Sequence, residues 1–257
     1  MENSMKVPEL FDLSQDTAVV TGAGRGIGEG IARVFAGAGA SVVLAARRTE
    51  EIERVAEQIR KDGGKAIAVT TDVTDEDAVE SLAQAARDEY GKLDIWVNNA
   101  GGSPVSTPLI KLDRKEWDAT LHLNLTAVWL CSVVAAKHME DGGRILNISS
   151  RAAVGPIPGS GHYAAAKAGV NSLTATLAAE LGPRILVNGI MPGAVPTEIM
   201  MKALRLSEDD LPALEKNLRL PAGRLGTPED LGAAALFLCS RASSWITGEI
   251  LSVSGGM

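Results

Sequence analysis

Aromatic residues are scarce: Phe, Trp and Tyr make up only 4% of the 257 residues. A core with so few rings must be packed from Ala, Val, Ile and Leu, which suits a parallel sheet covered on both faces by helices. Cysteine is nearly absent. Cys131 and Cys239 each lie in apolar helical sequence, Val128-Trp129-Leu130-Cys131 and Leu236-Phe237-Leu238-Cys239. They read as small buried hydrophobes, not as a disulfide or a reactive thiol. The three histidines show no metal-ligand spacing, so no metal is expected. Positive charge is in deficit, with a formal net charge of −7. That argues against the basic stripe of a nucleic-acid surface and favours solubility. Met1 to Asp16 holds no apolar run like a signal peptide, and no segment is read as reaching transmembrane length. The expectation is a cytoplasmic protein with no membrane partner.

Hydrophobic residues at 46% and charged residues at 22% describe a folded chain. One domain over 1–257 is expected, with 1–16 as an N-terminal extension. Short apolar runs alternate with longer amphipathic ones. Strands are predicted at Thr17–Thr21, Ser41–Ala46, Lys65–Thr70, Ile95–Asn98, Arg144–Ile148, Ile185–Ile190 and Ile250–Val253. Helices are predicted at Ile27–Ala38, Glu50–Lys61, Asp75–Tyr90, Lys115–Met139, Ser160–Leu181 and Pro228–Cys239. Thr227-Pro228-Glu229-Asp230 reads as an N-cap, a first-turn proline and acids at the positive helix end. Thr74 with Asp77 resembles a capping box. The alternation predicts an α/β fold, a Rossmann-like doubly wound sheet of about seven parallel strands with helices on both faces. Residues 194–226 break the pattern and read as a substrate lid, with short helical pieces at Glu198–Leu206 and Asp210–Leu218.

Thr17–Thr21 runs into Gly22-Ala-Gly24-Arg25-Gly26-Ile27-Gly28. A strand, a glycine turn and a helix start in that order suit a pyrophosphate: the glycines admit close backbone approach and the helix end offers free N–H groups. The spacing is Gly-x-x-x-Gly-x-Gly over Gly22, Gly26 and Gly28. The second strand ends at Ala46-Arg47-Arg48, with no acid before Glu50 to take a ribose diol. Arg47, Arg48 and Arg25 suit a 2′-phosphate, so NADP(H) is the expected cofactor, with NAD(H) as the alternative. The bland reading of Arg47 and Arg48 is a solvated surface pair.

Tyr163 and Lys167 lie four residues apart, one helical turn, in a stretch of strong helix formers, and Ser150 precedes the tyrosine by thirteen residues. A phenol with a free pKa of roughly 10 is a poor acid at neutral pH. A neighbouring ammonium is expected to lower that value and make the phenol a proton donor and acceptor. Such a pair also occurs in helices as a packed ring beside a solvated amine.

Together these signposts resemble the short-chain dehydrogenase/reductase family in its compact form, over nearly the whole chain. They are Thr21-Gly-x-x-x-Gly-x-Gly28, Asp72-Val73, Asn98-Asn99-Ala100-Gly101, Asn124, Ser150, Tyr163-x-x-x-Lys167 and Pro192-Gly193 with Thr197. The resemblance implies hydride transfer between NADP(H) and a carbonyl or secondary alcohol. It implies that Ser150 hydrogen-bonds the substrate oxygen, Tyr163 passes the proton, and Lys167 binds the nicotinamide ribose. Asn124 would hold a water; its alternative is to satisfy a kinked backbone. In the same reading Ile27 belongs to the phosphate loop and Asp72 and Val73 flank the adenine. Asn98, Ala100 and Gly101 line the cofactor cleft, and Pro192, Gly193, Val195 and Thr197 contact the carboxamide end. The substrate is a small carbonyl or alcohol compound, 3-oxoacyl-like or, alternatively, a sugar or polyol. Val154, Ile157, Pro158, Met200, Met201 and Leu204 are candidate walls. His162, just before Tyr163, reads as a helix-start surface residue, with reach into the site as the alternative. A homodimer or homotetramer is implied, paired through the long Ala-rich helices.

Overall fold

The computed structural model describes residues 6–103 and 105–257; the first five residues of the expected N-terminal extension lie outside them. After a short helix α1 (Val7–Leu10), strands and helices alternate in chain order. These are β1 (Thr17–Thr21), α2 (Gly26–Gly37), β2 (Ser41–Ala46), α3 (Thr49–Lys61), β3 (Lys65–Thr70), α4 (Glu76–Tyr90), β4 (Ile95–Asn98), α5 (Arg114–Leu121), α6 (Ala127–His138) and β5 (Gly143–Ile148). There follow α7 (Gly161–Leu181), β6 (Ile185–Pro192), α8 (Glu198–Leu204), α9 (Leu211–Leu218), α10 (Pro228–Cys239) and β7 (Ile250–Val253). The seven strands form one parallel sheet in the order β3-β2-β1-β4-β5-β6-β7. The chain winds outward from β1 to β3, then returns to the other side of β1. The switch point between β1 and β4 leaves a crevice at the carboxyl ends of the strands, where ligands of such sheets bind.

The period of two in the strands sorts side chains to two cores. Ala18, Val20, Val42 and Leu44 pack with Ile31 and Phe35 of α2, Ile52 and Val55 of α3, and Leu231 and Leu238 of α10. Val19, Val43, Trp96 and Val187 face the opposite way, onto Val79 and Leu82 of α4, Val134 of α6 and Leu177 of α7. Both cysteines are buried, one in each cluster, and unpaired. Burial pushes each thiol up to about 12, so neither is reactive at neutral pH.

Local signals held where the capping side chain is unambiguous. Thr227 accepts from the Asp230 N–H at 3.3 Å, and Pro228 opens α10. The expected Thr74 box is not formed. Asp75 caps α4 by accepting from the Ala78 N–H at 3.2 Å, while Thr74 donates its N–H and hydroxyl to Asp72 at 3.0 and 2.7 Å. A carboxylate one residue later is the stronger cap, and Asp72 claims the threonine. The single helix expected over Lys115–Met139 is α5, a π-helical turn at His122–Thr126 and α6. By length and composition alone Arg114–His138 could cross a bilayer, contrary to the reading of the sequence. In the structure it carries that π turn and covers the sheet between α4 and α7. Residues 194–226 hold α8, a 3₁₀ turn at Glu208–Asp210 and α9, with Leu211, Leu214 and Leu218 packed on Ala194, Leu220 and Leu225.

Candidate active site

A cavity of about 950 Å³ opens at the switch point, near the upper end of the range for ligand pockets. Its floor is the glycine loop. Gly22 and Gly26 take φ of +65° and +58°, a region that L side chains rarely adopt. The N-cap Arg25 makes no side-chain cap, which leaves first-turn N–H groups of α2 for an anion. Gly28 does not line the cavity. A Cβ there would lie 2.3 Å from the Gly22 carbonyl oxygen and 2.5 Å from Asn99 Nδ2, so this glycine lets the helix start seat against the loop. Thr21 ties the loop to the end of β4. Its hydroxyl donates to the Val97 carbonyl at 3.0 Å and accepts from the N–H groups of Asn99 and Ala100 at 3.0 and 3.1 Å. Asn99 Nδ2 donates to the carbonyls of Thr21 and Gly22 at 2.9 and 3.2 Å.

Gly22, Arg25, Gly26, Ile27, Arg47, Arg48, Asp72, Val73, Ala100, Gly101, Pro192, Gly193, Val195 and Thr197 all line this cavity, as does the Ser150, Tyr163 and Lys167 set. Asn98 does not. It is buried in the sheet, accepting from Trp96 Nε1 at 2.9 Å and donating to Ser132 Oγ and Asn147 Oδ1 at 2.9 and 2.8 Å. Alternation along the strand turns Asn98 inward and leaves Asn99 at the cavity, which the sequence reading passed over. Also missed were Thr71, Gly102, Ser103, Glu51 and Glu198. Glu51 was legible as an acid one turn into α3, but its place against Gly24 follows only from how α3 packs.

The three arginines cluster at one end. Arg48 Nη1 pairs with Glu51 Oε1 at 2.9 Å, and Arg25 pairs with Glu198 at the start of α8. Burial raises the Asp72 carboxyl, but hydrogen bonds from Thr74 and the charge of Arg47 outweigh it and hold the group below its usual range.

At the other end, α7 sets Tyr163 and Lys167 on one face. The Lys167 ammonium lies 5.8 Å from the Tyr163 ring centre and donates to the Ile148 carbonyl at 2.8 Å. The side chain is buried, and burial pushes its pKa down to about 8. Ser150 accepts from the Ala152 N–H at 3.1 Å, which fixes its hydroxyl at the start of a 3₁₀ turn. Tyr163 departs from expectation: burial raises its pKa, with a smaller lowering from its hydrogen bond to Ser150. Lys167, itself weakened as a cation by burial, does not reverse this. The phenol therefore stands protonated at neutral pH, loaded as an acid. Ser149 is buried, and its hydroxyl donates to Asn171 Oδ1 at 2.5 Å, tying the end of β5 to α7.

Asn124 is fully buried behind the wall, in the π turn. It accepts from the Gly102 N–H at 2.7 Å and donates to the carbonyls of Gly102 and Thr120 at 3.1 and 3.0 Å. Its side chain thus satisfies backbone groups that the π turn and the loop after β4 would leave unpaired. His162 is buried, not on the surface, and Val154, Pro158 and Met201 do not line the cavity, whereas Ile157, Met200 and Leu204 do.

The buried lysine has a cost that can be measured. Its folded pKa lies below 10.5, so between about 8 and 10.5 the unfolded chain binds more protons and stability rises with pH. At neutral pH the strain is on the order of 3 kcal/mol. Losing the bond to Ile148 in Lys167→Met gives back about 1–3 kcal/mol. The variant without dinucleotide is expected to melt a few degrees above wild type at pH 7, with the gap closing as pH climbs from about 8 towards 10.5. Scanning calorimetry at both ends of that window checks it.

The family model described as enoyl-(acyl carrier protein) reductase matches residues 22–257. The chain belongs to the short-chain dehydrogenase/reductase family. It is 41% identical over 256 residues to gluconate 5-dehydrogenase of Gluconobacter oxydans, covering 98% of both chains. It is 40% identical over 252 residues to a 3-oxoacyl-(acyl carrier protein) reductase of Chlamydia muridarum, covering 95% of this chain and 98% of the relative. A solved structure described as 7α-hydroxysteroid dehydrogenase complexed with NADH and 7-oxo glycochenodeoxycholic acid superposes with a TM-score of 0.90 at 38% identity, over 98% of each chain. As a short-chain dehydrogenase/reductase this protein is an oxidoreductase acting on hydroxyl or carbonyl groups. Its glycine floor, free helix end and cationic rim fit a nicotinamide dinucleotide.

Proposed function

We propose that this protein is an NADP(H)-dependent reductase of neutral ketones. One observation carries the reading: charge is segregated along the cavity. Arg25, Arg47 and Arg48 line it with Asp72, whereas at the Lys167 end Ile199 stands against Gly102, and Ile157, Met200, Ala203 and Leu204 add apolar lining. Among the described lining residues Lys167 is the one cation at that end; one of its N–H groups donates to the Ile148 carbonyl, and the nicotinamide ribose would take the others. A sugar acid would bring a carboxylate with nothing to pair it, at a cost a neutral ketone avoids. Glu51 is the feature that favours NAD(H), since a carboxylate suits a ribose diol. Its pairing with Arg48 weakens that case.

The dinucleotide supplies the hydride when bound. The glycine loop would hold its pyrophosphate, the arginines its 2′-phosphate, and Lys167 its nicotinamide ribose. Tyr163 Oη gives its proton to the substrate oxygen as that oxygen gains charge. Ser150 Oγ donates a hydrogen bond to the same oxygen, an interaction that strengthens as charge develops. Apolar walls exclude water from the exchange. A protonated, desolvated phenol suits the reducing direction.

The decisive assay is a panel of neutral ketones, sugar acids and polyols, followed by NADPH absorbance. Neutral ketones are expected to be reduced; turnover confined to sugar acids or polyols would overturn the reading. For the cofactor, Arg47→Asp is expected to weaken NADPH about tenfold or more and NADH by less than threefold, read by fluorescence titration. Equal loss for both would remove the 2′-phosphate assignment. Half-exposed Trp129 on α6 supports the inference of a homodimer or homotetramer through this helical face, which sedimentation velocity tests.

A further inference from the structure

Ser103 and His162 form a polar pair that the reaction chemistry leaves unused. Ser103 lines the cavity just after Gly101 and Gly102. A Cβ on Gly101 would lie 3.5 Å from Lys167 Nζ, and one on Gly102 would lie 3.0 Å from Ile199 on the lid. Ser103 therefore stands at the reacting end. His162, the residue before Tyr163, is fully buried. Its Nε2 lies 3.1 Å from Ser103 Oγ, and its Nδ1 has no hydrogen-bond partner among the described residues.

The orphan nitrogen settles which way the pair points. Burial lowers the His162 pKa against a smaller opposing effect of Glu116, so the ring is neutral. Only one of its nitrogens then carries a proton. A buried N–H without an acceptor is rarer than a buried lone pair without a donor. The proton therefore belongs on Nε2, which donates to Ser103 Oγ. With its oxygen accepting from the histidine, the Ser103 hydroxyl proton is free to be donated. Among the described residues its one acceptor is the Val105 carbonyl, at a long 3.4 Å.

We propose that Ser103, oriented by His162, is a specificity residue that donates a hydrogen bond to a second oxygen of the substrate. The substrate class is a ketone carrying another carbonyl, as in a 3-oxo ester or thioester. Ser103 touches the substrate; His162 is a positioning residue acting through it. This rests on the ketone-reductase reading above and narrows it.

The test compares two substrates with NADPH: a 3-oxo ester, and a plain ketone of equal chain length. Ser103→Ala is expected to raise KM for the 3-oxo ester about tenfold with kcat within twofold, and to leave the plain ketone unchanged. Ser103→Thr, which keeps the hydroxyl, is expected to restore the lower KM. His162→Phe is expected to reproduce the Ser103→Ala pattern, and His162→Gln, whose amide can donate in place of Nε2, to rescue it. Equal effects on both substrates, or none on either, would overturn the proposal while leaving the ketone-reductase reading intact. A wild-type enzyme that reduced neither compound would count against that reading first, and against this one with it.

Discussion

Tyr163→Phe is expected to lower turnover of a ketone by about 10²- to 10⁴-fold, the usual contribution of a positioned general acid. The change removes one oxygen. It keeps the ring, its packing and its 5.8 Å approach to Lys167. The glycine loop and the arginine end are untouched, so dinucleotide affinity should stay within threefold. The loss should fall on kcat and kcat/KM together, because the proton is needed in the transition state and not for binding. Steady-state NADPH absorbance, with fluorescence titration for affinity, separates the two. Turnover within threefold of wild type would remove the tyrosine from the mechanism.

The second large effect is expected at a residue that does not line the cavity. A Cβ on Gly28 would stand 2.3 Å from the Gly22 carbonyl oxygen, a backbone atom, and 2.5 Å from Asn99 Nδ2, which is tied to the Thr21 and Gly22 carbonyls. In Gly28→Ala the loop or the helix start must move. Overpacking of this kind costs about 2–3 kcal/mol. Taken as lost dinucleotide binding, that is roughly 30- to 150-fold in Kd. Titration of a variant shown by circular dichroism to be folded checks it. An unchanged Kd would show that the loop does not depend on this contact.

Much of this was open to reading before any coordinates. Strand positions followed from apolar runs too short for helices, and all seven predicted strands appear in the sheet. Tyr163 and Lys167 could be paired from spacing alone, because a helical turn fixes their face. What stayed hidden depended on contacts distant in sequence. Asn98 and Asn99 are chemically identical; only the pleat of β4, set by Trp96 and Asn147, sends one to the core and the other to the glycine loop. The π turn around Asn124 had one local signal, an amide in an apolar helical run that offered a kinked backbone as its alternative reading, and nothing nearby fixed the kink as a π turn. The direction of the Tyr163 shift was misread for a related reason. Charge proximity could be counted along the helix, but burial of the phenol and the ammonium depends on segments distant in sequence, among them β5, whose Ile148 carbonyl holds the ammonium.

A crystal structure with NADP⁺ bound tests the central claim most directly. The nicotinamide ring should lie beside the Tyr163 hydroxyl, with the Lys167 ammonium on its ribose and Arg47 or Arg48 on the 2′-phosphate. A ring seated elsewhere, with that hydroxyl facing away from it, would contradict the mechanism at its root.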